Sequence, residues 1–346
     1  MTGQPPLIFS TTHYDGLRQI MEQSGAFETG QVERKSFPDG ERYHRLDSDV
    51  YDRDVVLLSG AIHSDETLEL FHMANAIVDY GALRLNLVMP YFGYATMERA
   101  VKLREAVKAK YNARLLSAIP PAALGNRFFF VDLHSEGLPH YMEGGAQTVH
   151  IYAKPIILQA AKELVTEYAT PRLVIAAREM PVDRPGGRGQ VAPAFVMAST
   201  DAGRAKWVES LAKDIGAPPA FAYKRRLSGE DTEALGIGGA PVEGAFVIIY
   251  DDMIRTGSSI KQAAQAYLEA GATAVTAICT HGLFPGTALQ ELRQAQWRGQ
   301  PLLRRIICTD THPRARSLQD DDFLVVKSIG ALLAHQVRHG AKESGS

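Results

Sequence analysis

Apolar runs of strand length alternate with helix-period segments through most of this chain, and that alternation admits few folds. Val55-Val56-Leu57-Leu58 ends at Ser59-Gly60. Ser64-Asp65-Glu66-Thr67 then reads as a helix start, an N-cap candidate followed by acidic first-turn residues. Leu68, Phe71, Ala74, Ile77 and Val78 recur at helical spacing, Gly81 offers the stop, and Leu85 to Met89 is the next apolar run. Strand–helix–strand implies a parallel sheet, because parallel neighbours need a crossover long enough to hold a helix. The same unit returns late in the chain. Phe246 to Tyr250 is the strand, Ser259 to Ala270 the helix, Gly271-Ala272 the stop and Val275 to Cys279 the next strand. Both helices end in Gly-Ala, which suggests two related α/β halves, although common strand–helix–strand grammar yields the same pair.

At 346 residues the chain is too long for one ordinary core and suits two domains. A helix begins after His150-Ile151-Tyr152, so the boundary falls between Tyr152 and Lys162, with residues 1–155 in the first domain and 156–346 in the second. Arg178 to Pro193 carries Pro181, Pro185, Gly186, Gly187 and Gly189 without periodicity and reads as an irregular insertion or surface loop. A second Gly-rich segment, Ser228 to Gly239, follows Lys224-Arg225-Arg226, and residues 341–346 read as a disordered tail.

Hydrophobic residues make up 45% and charged residues 22%, the balance of a soluble globular protein. With a net charge of -2 there is no global basic field to recruit nucleic acid, so anionic ligands must be held by local groups. The two cysteines, Cys279 and Cys308, each sit in a strand-like run and read as buried thiols rather than a disulfide. No Cys/His cluster has zinc spacing. Met1 to Ser10 lacks the pattern of a signal peptide, and no apolar run approaches the ~18 residues of a membrane span. The expectation is a cytoplasmic protein without membrane contact.

The segment with most chemistry is the strand Val247-Ile248-Ile249-Tyr250 entering Asp251-Asp252, then Thr256-Gly257-Ser258-Ser259 opening a helix. A phosphate needs several N–H donors and no nearby carboxylate; a tight Thr-Gly-Ser-Ser turn at a helix N-terminus offers amides, hydroxyls and the positive dipole end. Adjacent carboxylates at a strand end can accept from vicinal sugar hydroxyls or hold a magnesium ion. Ligands of open α/β sheets also bind at the carboxyl ends of strands. Alone, the acid pair reads equally as a loop, with Ser258 or Ser259 capping the helix. The order strand, acids, turn, helix favours a site for a phosphorylated ribose.

This segment resembles the phosphoribosyl diphosphate-binding loop of phosphoribosyltransferases and ribose-phosphate diphosphokinases. Six further segments resemble the diphosphokinases alone, in that family's order: Phe37-Pro38-Asp39-Gly40-Glu41, Pro90-Tyr91-Phe92-Gly93-Tyr94, Val131-Asp132-Leu133-His134-Ser135-Glu136, Ser199-Thr200-Asp201-Ala202-Gly203, Tyr223-Lys224-Arg225-Arg226 and Thr280-His281-Gly282-Leu283-Phe284. Each is weak; together they are specific. The resemblance implies two related phosphoribosyltransferase-like α/β domains, each a mostly parallel sheet flanked by helices. It also implies transfer of the diphosphoryl group of ATP to the anomeric hydroxyl of ribose 5-phosphate, for nucleotide biosynthesis.

By the same resemblance, Asp251, Asp252, Arg255, Thr256, Gly257, Ser258 and Ser259 bind the sugar phosphate, and Lys224 and Arg226 are the catalytic cations on a flexible loop. His134 and Asp201 hold Mg2+, and His134 and Arg99 also contact ATP. Phe37, Asp39 and Glu41 recognise adenine from a neighbouring subunit of a homo-oligomer, a dimer or hexamer. The residue chemistry leaves blander alternatives open: a structural histidine at 134, a solvated basic triplet at 224–226 and an ordinary Pro-Asp-Gly turn at 38–40. The chain departs from the family pattern at three places. Thr96-Met97 replaces an Arg-Gln pair, with Arg99 or Lys102 able to substitute; Arg255 stands where the sugar loop usually has another Asp; and the 178–193 link is longer. Two other readings share these residues: a phosphoribosyltransferase that consumes phosphoribosyl diphosphate, and a non-catalytic regulatory relative.

Overall fold

The computed structural model describes residues 4–168, 193–226, 233–320 and 322–339, and the side chains among them except at 202, 224–226 and 233–235. The sequence-expected insertion, apart from Pro193, and the C-terminal tail lie outside the described residues. The chain divides into two compact units.

The first unit is built on a six-stranded sheet in the order β2-β1-β5-β6-β7-β8. Its strands are β1 (Leu7–Ser10), β2 (Glu28–Thr29), β5 (Asp54–Leu58), β6 (Arg84–Met89), β7 (Asn126–Val131) and β8 (Gln147–Ile151). Every neighbouring pair is parallel. A separate antiparallel hairpin joins β3 (Val32–Ser36) to β4 (Arg42–Leu46). The helices are α1 (Asp15–Glu22), α2 (Ser64–Asp79) and α3 (Lys108–Ser117).

The α2 helix forms where the periodicity places it, with a wider buried face. Its buried apolar residues are Leu70, Met73, Ala74 and Ile77, while Leu68 is exposed. The buried face also carries Glu66 and Glu69, one turn apart. Ala74 and Ile77 of the periodic stripe are buried and Phe71 and Val78 pack against the same core, so Leu68 alone leaves that face. The N-cap is His63 rather than Ser64, its side chain accepting from the Glu66 amide.

The second unit begins at Lys154, where α4 (Lys154–Tyr168) starts. Its seven-stranded sheet runs β11-β10-β9-β12-β13-β16-β17. The strands are β9 (Phe195–Ser199), β10 (Pro219–Arg226), β11 (Glu233–Gly239), β12 (Phe246–Ile254), β13 (Ala274–Gly282), β16 (Ile306–Thr309) and β17 (Leu324–Lys327). Only β10 and β11 pair antiparallel; the remaining ladders are parallel. The two-residue strands β14 (Gln296–Trp297) and β15 (Gln300–Pro301) form a small hairpin. The helices after α4 are α5 (Ala205–Ile215), α6 (Ser258–Glu269), α7 (Ala288–Gln294) and α8 (Pro313–Leu318).

Strand β12 is apolar throughout its first half because both of its faces are covered. Phe246, Ile248 and Tyr250 enter a core with Ile157 and Leu164 of α4 and Leu211 of α5. Val247 and Ile249 enter the opposite core with Ile260, Ala263, Ala264 and Tyr267 of α6. Each such aliphatic side chain contributes about 1.5–3 kcal/mol on burial, so this central strand is firmly fixed. Cys279 and Cys308 are free, buried thiols in the same unit, as the sequence suggests.

The last helix, α9 (Gly330–His339), belongs with the first unit, as do Thr311–Pro313. The second half of the sequence is therefore not one continuous domain. Gly330 lies directly against Ile20 of α1, leaving no room for a Cβ, and Leu333, Ala334 and Val337 are buried.

Candidate active site

In the second unit β9 has β10 on one side and β12 on the other, so successive connections leave in opposite directions. A crevice opens at such a switch point, beyond the carboxyl ends of the strands. The loops after β9 and β12 converge there.

The acids of the sugar loop are strand residues, which the sequence reading placed after the strand. Strand β12 continues through them, Asp251 pairing in register with Cys279 and Met253 with His281. Thr200 donates its hydroxyl to Asp251 Oδ2 at 3.0 Å, and the Asp252 amide donates to Asp251 Oδ1 at 2.9 Å. Burial and the neighbouring Asp252 carboxyl raise the Asp251 pKa to about 8, against the opposing pull of Thr200 and Arg204. Asp252 is buried and forms an ion pair with Arg204, Nη2 to Oδ2 2.6 Å. At neutral pH Asp251 is therefore held protonated.

Arg255 and Thr256 are exposed, followed by Gly257 at φ 77° as the N-cap of α6. Glycine is required twice over. The left-handed backbone disfavours a side chain, and a Cβ would meet Leu292 Cδ2 at 2.6 Å. No side chain caps α6, so neither Ser258 nor Ser259 is the cap. Both serines are exposed in the first turn, and the Thr256 and Ser258 hydroxyls lie 3.2 Å apart. The turn therefore presents hydroxyls and first-turn amides to solvent at the positive end of a helix, a ready anion site.

The loop after β9 supplies Asp201, exposed, with Oδ1 accepting from the Gly203 amide at 2.7 Å. Its path is held by Tyr267, whose hydroxyl donates to the Ser199 carbonyl at 2.9 Å. Arg204 was not picked out from the sequence. The available signal was its position directly after Ser199-Thr200-Asp201-Ala202-Gly203.

Lys224 and Arg226 lie on the backbone of β10; their side chains are outside the described set, as is residue 229. The glycines 236, 238 and 239 do not form the flexible loop expected from the sequence. They are in β11, and Gly236 and Gly238 leave space for the Tyr223 ring, which a Cβ on Gly236 would meet at 2.7 Å. Phe221 pairs with Ser199 at the end of β9, and Arg226 is five residues further. At ~3.3 Å per residue the hairpin projects about 16 Å beyond that strand end, on the side of the sheet where the acids sit.

The remaining candidates belong to the first unit. Phe37, Asp39 and Glu41 form the exposed tip of the β3–β4 hairpin, closed by the Phe37 amide donating to the Glu41 carbonyl at 2.8 Å. Asp39 accepts from the Glu41 amide at 3.1 Å, so the Pro-Asp-Gly segment is a turn. Arg99 is exposed, 3.6 Å from Glu98. His134 is half-buried in the loop after β7, two residues beyond Asp132, whose φ is 35°.

Among the described residues no helix is long and apolar enough to cross a membrane. Residues 7–119 match the model of the N-terminal domain of ribose phosphate pyrophosphokinase. A ribose-phosphate pyrophosphokinase from Rhodopirellula baltica is 32% identical over 305 residues, 87% of this chain and 84% of that protein. One from Neisseria meningitidis serogroup A is 28% identical over 339 residues, 97% of this chain and 92% of the relative. A crystal structure of phosphoribosylpyrophosphate synthetase from Mycobacterium smegmatis superimposes with a TM-score of 0.78, covering 99% of this chain and all of that one, at 24% identity. That likeness speaks for the fold: mostly parallel sheets flanked by helices. With the extent of the Rhodopirellula match and the N-terminal domain match, the chain belongs to the ribose-phosphate pyrophosphokinase family.

Proposed function

We propose that this enzyme transfers the β,γ-diphosphoryl group of ATP to the anomeric hydroxyl of ribose 5-phosphate, giving phosphoribosyl diphosphate and AMP. The observation that carries the reading is the crevice between β9 and β12. There a helix N-terminus with exposed hydroxyls stands beside a buried acid pair, as a sugar phosphate needs. The anomeric oxygen bonds to the β-phosphorus as the bond from that phosphorus to the α-phosphate oxygen breaks, and AMP departs.

In this reading Thr256, Gly257, Ser258 and Ser259 hold the 5-phosphate, while Asp251 and Asp252 orient the ribose hydroxyls. Arg255 adds a positive charge beside them. Orientation supplies much of the rate, since the hydroxyl need only be aimed at the phosphorus. Lys224 and Arg226, on the projecting hairpin, stabilise charge on the transferred group and on departing AMP. Phe37, Asp39 and Glu41 receive adenine from a neighbouring copy in a cytoplasmic homo-oligomer, and Arg99 and His134 contact the nucleotide.

Bound magnesium would supply neutralising charge for the triphosphate. The exposed carboxylate of Asp201 at the end of β9 fits such a hard cation. In the first unit His134 offers an imidazole nitrogen, a donor magnesium takes less readily than oxygen.

Phosphorus NMR of enzyme, ATP, magnesium and ribose 5-phosphate tests the reading. A β-phosphorus signal shifted to a sugar-linked diphosphate, with AMP formed only when the sugar is present, is expected. Clean absence of AMP would reject it. Release of diphosphate on adding a nucleobase to preformed phosphoribosyl diphosphate would point to a transferase instead.

A further inference from the structure

The sheet of the first unit has a switch point of its own. Strand β1 lies between β2 and β5, and the chain leaves it toward β2 before returning on the other side through β5, β6, β7 and β8. Strands β9 and β12 of the second unit occupy the corresponding places. Where the second unit sets its acid pair and phosphate turn, the first unit carries His13, His63 and Glu66. His13 is in the 3-10 turn after β1, His63 follows β5, and Glu66 is in the first turn of α2.

We propose that these three side chains bind a divalent transition-metal ion of the zinc type. Their ligand atoms all lie within 4.8 Å of one another. His13 Nδ1 is 2.5 Å from Glu66 Oε2, and the two imidazoles stand edge to face with centroids 4.8 Å apart. Two imidazoles and a carboxylate are a zinc donor set, and ligands around zinc lie ~3.3 Å apart. Both histidines are exposed at the surface, so small rotations of their rings close the remaining gap.

The carboxylate is already prepared. Glu66 is fully buried, and its Oε1 is surrounded by the hydroxyls of Thr11 and Ser59, which fix its orientation. Its neighbour Glu69 is neutralised by Arg34 at 3.1 Å. Among the described residues the ion-pair partner of Glu66 is His13 alone. A buried carboxylate with no permanent cation beside it favours a metal ion. His63 Nδ1 accepts the Glu66 amide at 3.2 Å; a neutral imidazole has a single lone pair, so the exposed ring must release that amide to bind the ion. With three protein ligands, a fourth position remains for water or a ligand. The histidines stand 50 residues apart in sequence, so local spacing does not reveal the cluster.

The test uses the full chain, stripped with a chelator and titrated with Zn2+ alone in a competition assay, with metal content read by mass spectrometry. One zinc per chain is expected. His63→Asn keeps an N-capping side chain while removing the ligand, and His13→Gln removes the other imidazole. Each should weaken zinc binding by roughly a hundredfold or more, with the circular dichroism spectrum unchanged. His335→Ala, which breaks the separate His335–His339 pair on α9, should leave zinc binding intact. Co2+ in the wild-type chain should give the visible absorption of low-coordinate cobalt, lost in both ligand variants. No zinc uptake, undiminished uptake by His13→Gln and His63→Asn, or loss of uptake in His335→Ala would each overturn the proposal.

Discussion

Arg204 Nη2 lies 2.6 Å from Asp252 Oδ2, so an arginine from the loop after β9 clamps one of the two acids at the end of β12. The pair ties the loop after β9 to the end of β12.

Arg204→Ala should leave the buried Asp252 carboxylate without this cation. A loss of about 3 kcal/mol of stability is expected, the lower end for breaking a buried pair, since Arg204 retains some exposure. The sugar-phosphate KM should rise about tenfold. Denaturant unfolding and steady-state kinetics read both. Unchanged kinetics would remove Arg204 from the site.

Asp251 makes stability depend on pH. Its folded pKa, about 8, is above the ordinary 3.8, so the folded chain holds a proton that the unfolded chain releases. Stability from this group is full below about pH 4, declines through the interval and levels off above about pH 8. The decline is at most about tenfold in the unfolding constant per pH unit. Asp251→Asn should flatten this slope in urea titrations from pH 5 to 8 without ligand. An equal slope in the variant would place the proton elsewhere.

Gly257→Ala should cost about 1–3 kcal/mol through its left-handed backbone, with the Leu292 clash added. The sugar-phosphate KM should rise about tenfold or more. Leu292→Ala alone should cost about 2–5 kcal/mol as a core cavity; in that background Gly257→Ala should cost less than in the wild-type chain, but still the backbone strain. Calorimetry on the single and double variants separates the two causes.

Lys224→Ala should lower kcat about a hundredfold or more while changing the sugar KM only slightly, as for a group acting on the transition state. Equal effects on both constants, or a lowered melting temperature, would contradict that role.

Much of the second unit could be read from sequence because β12 and α6 obey simple grammar: an apolar strand, a glycine turn and a helix. The same grammar missed where the acids sit, since strand pairing through Met253 and Ile254 depends on β13, which no local pattern reports. Gly236 and Gly238 read as loop because their packing partner, Tyr223, lies on another strand. On α2 the periodic face holds at Phe71, Ala74, Ile77 and Val78 and fails at Leu68, and hydrophobic periodicity does not report the buried Glu66 and Glu69. Arg204 escaped notice because its partner is 48 residues away in the chain. Long-range charge pairs are set by topology, which the sequence pattern supplies only as a class.

Because Asp251 is a rung of a central ladder and Asp252 follows it in the same strand, their placement comes with the sheet and precedes any ligand. Ribose docking there requires little ordering of the acids themselves. A change of substrate in this scaffold would therefore proceed most easily through the exposed side chains of Arg255, Thr256, Ser258 and Ser259, which can vary while Gly257 and the strand are kept.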